Sequence, residues 1–160
     1  YNTGYLPTPY YFLILLKEYL KKNNIGKFNF IDLGCGFSRP AIFLDKFFNI
    51  KYLGFEINKK LIKKNKKKKS FNFFCINLRK CEKLLGILKK NIKSSEINIF
   101  FIADPFDIIL VNKILKILKK RKLINRVVLI NINFAKLQKK NYTLDLIKIF
   151  NKRNMYILKN

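Results

Sequence analysis

Hydrophobic period constrains this chain more than any other feature. Between residues 10 and 132 it switches repeatedly between a helical repeat and short, nearly continuous apolar runs. Residues 28–33, 52–55, 71–76, 97–102 and 126–132 are the runs, too short for helices and rich in Phe, Ile, Val and Leu. Residues 10–24, 38–48, 78–91, 107–120 and a segment from Asn58 into a lysine run have helical character. In the first of these, Phe12, Leu13, Leu15, Leu16, Tyr19 and Leu20 cover one broad face, and Lys17, Lys21 and Lys22 sit outside it. Strands that are apolar on both faces need cover on both faces, so the alternation predicts an α/β fold with a mostly parallel sheet between two helical layers. Right-handed crossovers make that sheet doubly wound. Residues 144–150 and 155–158, separated by Asn-Lys-Arg-Asn, read as an antiparallel hairpin; a helix over 143–150 followed by one strand is the alternative. At 160 residues, with no interdomain linker, the expectation is one domain, 1–160.

In a sheet of this kind ligands bind beyond the carboxyl ends of the strands. The chain has only nine carboxylates, and three of them, Asp32, Glu56 and Asp104, fall at or just inside such ends. Any one of them could be a turn or capping acid. Asp32 opens Asp-Leu-Gly-Cys-Gly-Phe-Ser-Arg-Pro, where Gly34 and Gly36 permit positive φ and a close approach of ligand to backbone. Ser38 is placed to cap the helix that contains Pro40. Glu56 follows Asp32 by 24 residues, at the end of the next strand, where a carboxylate can take both hydroxyls of an unphosphorylated ribose. Together these residues predict an adenosine-type cofactor. A dinucleotide dehydrogenase is the weaker option, because residue 39 is Arg and the GxGxxG register is missing.

The formal charge is +26, yet 30 of the 35 basic residues are lysine, and Ile, Asn, Phe and Tyr are abundant too. All five have A/T-rich codons, so compositional drift explains much of the excess. A nucleic-acid surface is the competing reading, with counterion release as its driving force. Residues 63–69, the densest lysine run, read as the solvated end of a helix. No apolar run approaches the roughly 18 residues of a membrane span, no signal peptide is visible, and three cysteines without histidine support neither a disulfide framework nor a metal site. Cytoplasm is the simplest expectation. Cys35 and Cys75 read as buried small apolar residues.

The motifs resemble those of class I S-adenosylmethionine-dependent methyltransferases. Phe30-Ile-Asp-Leu-Gly-Cys-Gly36 is similar to their first motif, and Tyr52-Leu-Gly-Phe-Glu-Ile-Asn58 to their second, including the small residue two places before the acid. Phe73-Phe-Cys-Ile-Asn-Leu78 resembles the third and Phe100-Phe-Ile-Ala-Asp-Pro-Phe106 the fourth. The leading Gly4-Tyr-Leu-Pro-Thr-Pro9 is similar to a segment that overlies the cofactor in a small bacterial subgroup, related to a protein-lysine-methylating branch. Two positions depart from the pattern: Ser38 replaces a third glycine, and Asn77 stands where an acid is often found.

The resemblance implies a Rossmann-like, three-layer α/β/α methyltransferase fold, with residues 1–24 on the cofactor side, and S-adenosyl-L-methionine as cofactor. It places cofactor contacts at Tyr5, Thr8, Asp32, Gly34, Cys35, Gly36, Glu56, Ile57, Asn77 and Leu78. Asp104, Pro105 and Phe106 would flank the transferred methyl, with Asp104 orienting the acceptor. Tyr5 and Tyr10 could line the acceptor side, and no metal is needed. The acceptor is expected to be a protein side chain or small metabolite; the alternatives are RNA held by a lysine-rich surface, or an inactive, basic binding module of the same fold.

Overall fold

The computed structural model describes residues 7–66, 70–103, 107–132, 137, 142–150 and 153–159. Five helices and seven strands alternate as α1 (Tyr10–Lys22), β1 (Lys27–Leu33), α2 (Arg39–Leu44), β2 (Asn49–Glu56), α3 (Lys59–Asn65), β3 (Asn72–Cys75), α4 (Cys81–Asn91), β4 (Asn98–Ala103), α5 (Ile108–Lys120), β5 (Arg126–Ile130), β6 (Thr143–Phe150) and β7 (Arg153–Lys159). All strands join one sheet in the order β3-β2-β1-β4-β5-β7-β6. Strands β1 to β5 pair in parallel, and β7 enters antiparallel between β5 and β6. The order reverses between β1 and β4, so their carboxyl ends frame the crevice where such sheets bind ligands.

The two apolar faces of the strands are covered as the period requires. On one face Phe12, Leu16 and Leu20 of α1, Ala41 and Leu44 of α2 and Ile62 of α3 pack against Phe28, Phe30, Tyr52, Phe101 and Val128. On the other, Leu84 and Leu88 of α4 and Val111, Leu115 and Leu118 of α5 pack against Ile31, Leu53, Phe55, Phe100 and Val127. Phe30 is the hub of the first face, with ring centroids 5.6 Å from Phe101 and 6.1 Å from Tyr52.

Strand β2 is longer than its apolar run. It pairs with β1 from Lys27↔Asn49 to Leu33↔Phe55, and its opening polar residues, Asn49 and Lys51, conceal it from an apolar count. Because β2 begins at Asn49, α2 ends at Leu44 and not near residue 48. The hairpin is present, and the helix over 143–150 is not. Met155, Ile157 and Leu158 of β7 are buried in mid-sheet, where the backbone needs partners on both edges; β6 supplies one edge from Thr143↔Lys159 to Phe150↔Arg153. Tyr19 of α1 joins these layers: its hydroxyl donates to the Asp145 carboxylate on β6 and accepts from Arg126 Nε on β5 at 2.8 Å. Among the described residues no helix is long and apolar enough to cross a membrane.

Candidate functional site

Leaving β1, the chain needs three left-handed residues in five: Gly34 (φ 87°), Gly36 (φ 47°) and Ser38 (φ 60°). Two glycines suit such angles and a serine does not. This path folds the loop over the end of β2, where the Gly34 and Cys35 amides both donate to the Phe55 carbonyl at 2.8 and 2.9 Å. The Gly36 amide donates to Glu56 Oε2 at 3.1 Å, and the Ile57 and Asn58 amides donate to Glu56 Oε1 at 2.8 and 2.9 Å. Three fixed donors orient the carboxylate. A carboxylate has roughly four acceptor positions, so capacity for a ligand hydroxyl remains. On the far side of the loop Asn65 Nδ2 donates to the Gly36 carbonyl at 2.6 Å.

Beneath the loop lies a buried polar cluster. Asp32 is 2% exposed, and its Oδ2 accepts from the Tyr52 hydroxyl at 3.2 Å. Burial raises the Asp32 carboxyl from its ordinary 3.8 to about 7; the Tyr52 hydrogen bond opposes that rise and the Glu56 charge adds to it. Tyr52 reaches Asp32 by lying over Gly54. A β-carbon on Gly54 would stand 2.7 Å from the Tyr52 hydroxyl oxygen and 3.0 Å from Cys35 Sγ. Burial, and then the Asp32 charge, push the Cys35 thiol far up, so it is no nucleophile at neutral pH. The Ser38 hydroxyl is buried with no well-formed hydrogen bond.

Of the residues expected to bind cofactor, Asp32, Gly34, Cys35, Gly36 and Glu56 come together around this loop. Ile57, beside Glu56, is 63% exposed. Asn77 sits beyond β3, and its side-chain oxygen already accepts from the Arg79 amide at 3.0 Å. Leu78 packs into the core against α4. Thr8 is buried, and its carbonyl accepts from Arg39 Nη1 at 3.4 Å. Tyr5, Asp104, Pro105 and Phe106 lie outside the described residues, the last three following Ala103 at the carboxyl end of β4.

Three expectations need correction. Ser38 makes no side-chain cap, because its left-handed backbone turns the hydroxyl inward. Cys75 is exposed, not buried: it ends β3, an edge strand whose outer side no strand covers. Asn65 is buried inside what reads as a solvated lysine run. It falls three residues after Ile62 on the inward stripe of α3, and a neutral amide interrupting six lysines was the available signal. Tyr52 and Arg39 were likewise missed. Tyr52 shares its face of β2 with Gly54 and Glu56, as period two requires.

No family model and no curated protein matches the chain. Solved structures do. An RNA methyltransferase from Salinibacter ruber, in complex with S-adenosyl-L-homocysteine, is 17% identical with a TM-score of 0.64, covering 96% of this chain and 93% of its own. Magnesium protoporphyrin IX methyltransferase from Synechocystis, with bound SAM, is 12% identical with a TM-score of 0.65, over 92% and 76%. A ribosomal protein methylase from Lactobacillus delbrueckii is 12% identical with a TM-score of 0.63, over the same shares. Sheet order, the antiparallel penultimate position of β7 and alignment over most of the chain agree: this protein has the Rossmann-like fold of class I methyltransferases.

Proposed function

We propose that the chain transfers a methyl group from S-adenosylmethionine to an acceptor docked at the carboxyl edge of the sheet. The observation that carries this reading is the Glu56 carboxylate, held by three backbone amides beside a glycine loop at the switch point. Such a group is built to receive neighbouring hydroxyls, and a free ribose presents two.

When bound, the cofactor supplies an electrophilic methyl on a cationic sulfur, so the protein's work is placement. Glu56 would hold the ribose, Ile57 would lie against the adenine, and Gly34 and Gly36 leave room for a ligand at the backbone. Asp32 suits a cationic ligand in particular. Burial pushes its carboxyl up to about 7, and a positive charge above it would draw it to the ionised form. Asp104 is the proposed orienting group for an acceptor nitrogen, through a carboxylate that accepts its proton.

Isothermal titration with S-adenosylhomocysteine tests the reading. Wild type should give a saturable heat, and Glu56→Gln should bind about tenfold or more weakly, since a charge-assisted acceptor is lost. A wild type that binds no S-adenosylhomocysteine leaves the chain as a binding module of this fold. Protein side chains, small metabolites and RNA all fit the reaction class, and the fold does not choose among them. RNA gains support from one local feature, a ring-and-cation groove beside the glycine loop.

A further inference from the structure

The glycine loop leads into a groove of about 370 Å³ between the start of α1 and α2, lined by Tyr10, Phe37, Arg39, Ile42, Phe43 and Lys46. No acidic residue is among these. Tyr10 and Phe37 remain 56% and 41% exposed, high values for rings in the same small concavity. The groove belongs to a continuous row of rings with a cation at each end. The Arg39 guanidinium lies 5.0 Å from the Tyr10 centroid, Tyr10 meets Phe43 at 6.0 Å, Phe43 meets Phe47 at 5.3 Å, and Lys17 Nζ, paired with the Glu18 carboxylate at 2.9 Å, lies 5.1 Å over Phe47.

We propose that this groove docks single-stranded RNA, taking one unstacked base against its rings and the flanking phosphates on Arg39 and Lys46. The assignment rests on the methyl-transfer reading and names its acceptor class. Three features favour it. Aromatic walls accept any base face, because stacking is the sequence-tolerant part of single-strand recognition. Cations bordering the rings complement a phosphate on either side of that base. The groove is concave and too small for a duplex, and unpaired RNA bases are what proteins splay out and stack. Overall lysine content does not enter; the combination of rings and cations here is local.

Fluorescence anisotropy with a labelled single-stranded oligo-U, across a salt series and without cofactor, tests the proposal. Phe37→Ser should weaken binding roughly tenfold and leave the salt slope unchanged, since it removes stacking and no phosphate contact. Arg39→Gln and Lys46→Gln should each reduce the slope by about 0.7. Wild type irradiated with 4-thiouridine RNA should cross-link at Tyr10 or Phe37, which reads the site even where a variant folds poorly. Cross-links confined to other surfaces, or a Phe37→Ser variant equal to wild type, would overturn the proposal. Salt-resistant sedimentation with phosphatidylserine vesicles that Phe37→Ser abolishes, with RNA affinity untouched, would assign the groove to a membrane instead. RNA binding without S-adenosylhomocysteine binding would defeat the methyl-transfer reading alone, and the reverse would defeat only the docking.

Discussion

The Asn65 side-chain amide donates a 2.6 Å hydrogen bond to the Gly36 carbonyl, tying α3 to the loop whose own amide holds Glu56. A surface-looking lysine helix thus sets the position of the Glu56 carboxylate, the proposed ribose acceptor. Replacing the buried donor strands the Gly36 carbonyl, at a cost of about 1–3 kcal/mol. Asn65→Ala should therefore lower the melting temperature and weaken S-adenosylhomocysteine binding, whereas Lys64→Ala, one residue away and exposed, should do neither. Differential scanning calorimetry and titration on the pair check this.

Asp32 makes stability depend on pH in an unusual direction for a carboxylate. Its folded value of about 7 lies above its ordinary 3.8, so the folded state binds the extra proton between those values. That contribution is complete below about pH 4 and is lost as the pH climbs towards 7. Asp32→Asn removes the titration while leaving an acceptor for the Tyr52 hydroxyl. Thermal melts at about pH 5 and pH 8 should show the variant gaining on wild type at the higher pH. A constant difference between the two proteins would refute the assignment.

Ser38 carries two penalties that glycine would not: a left-handed backbone and a buried hydroxyl without a good partner. Together these cost about 2–3 kcal/mol, offset by roughly 1 kcal/mol of added chain freedom for glycine. Ser38→Gly should be more stable than wild type by about 1–2 kcal/mol in urea denaturation.

At Gly54 the space is taken by Tyr52 and Cys35, both buried. Gly54→Ala must displace the tyrosine ring, at about 1–3 kcal/mol for an overpacked core, and so disturb the hydrogen bond to Asp32. Adding Tyr52→Phe to Gly54→Ala should cost less than the sum of the two single changes, because both disturb that hydrogen bond; a double-mutant cycle in urea measures the coupling.

Where burial follows a period, the fold was legible in the sequence. The apolar runs of β1, β4 and β5 and the helical stripe of α1 announced both the sheet and the face each helix would cover. Strand β2 was only half visible, because its first residues gain their place by pairing with β1 and not by being apolar. At the site, Gly34, Gly36 and Glu56 could be read because a backbone requirement or a lone carboxylate marks them. The contacts of Asn65 and Arg39 could not, although the break that Asn65 makes in the lysine run marks its burial. Their roles arise from what they touch across 29 and 31 residues of chain, and no local pattern encodes such a contact. Ser38 shows the converse: sequence identified the position, and only the backbone angle revealed that the residue keeps glycine's conformation without glycine's freedom.

Tyr19 gives the architecture a temporal meaning. Its partners are Arg126 on β5 and Asp145 on β6, so this helix is fastened by strands made more than a hundred residues after it. Until β5 and β6 arrive, α1 can rest on the sheet by its apolar face but lacks this polar anchor.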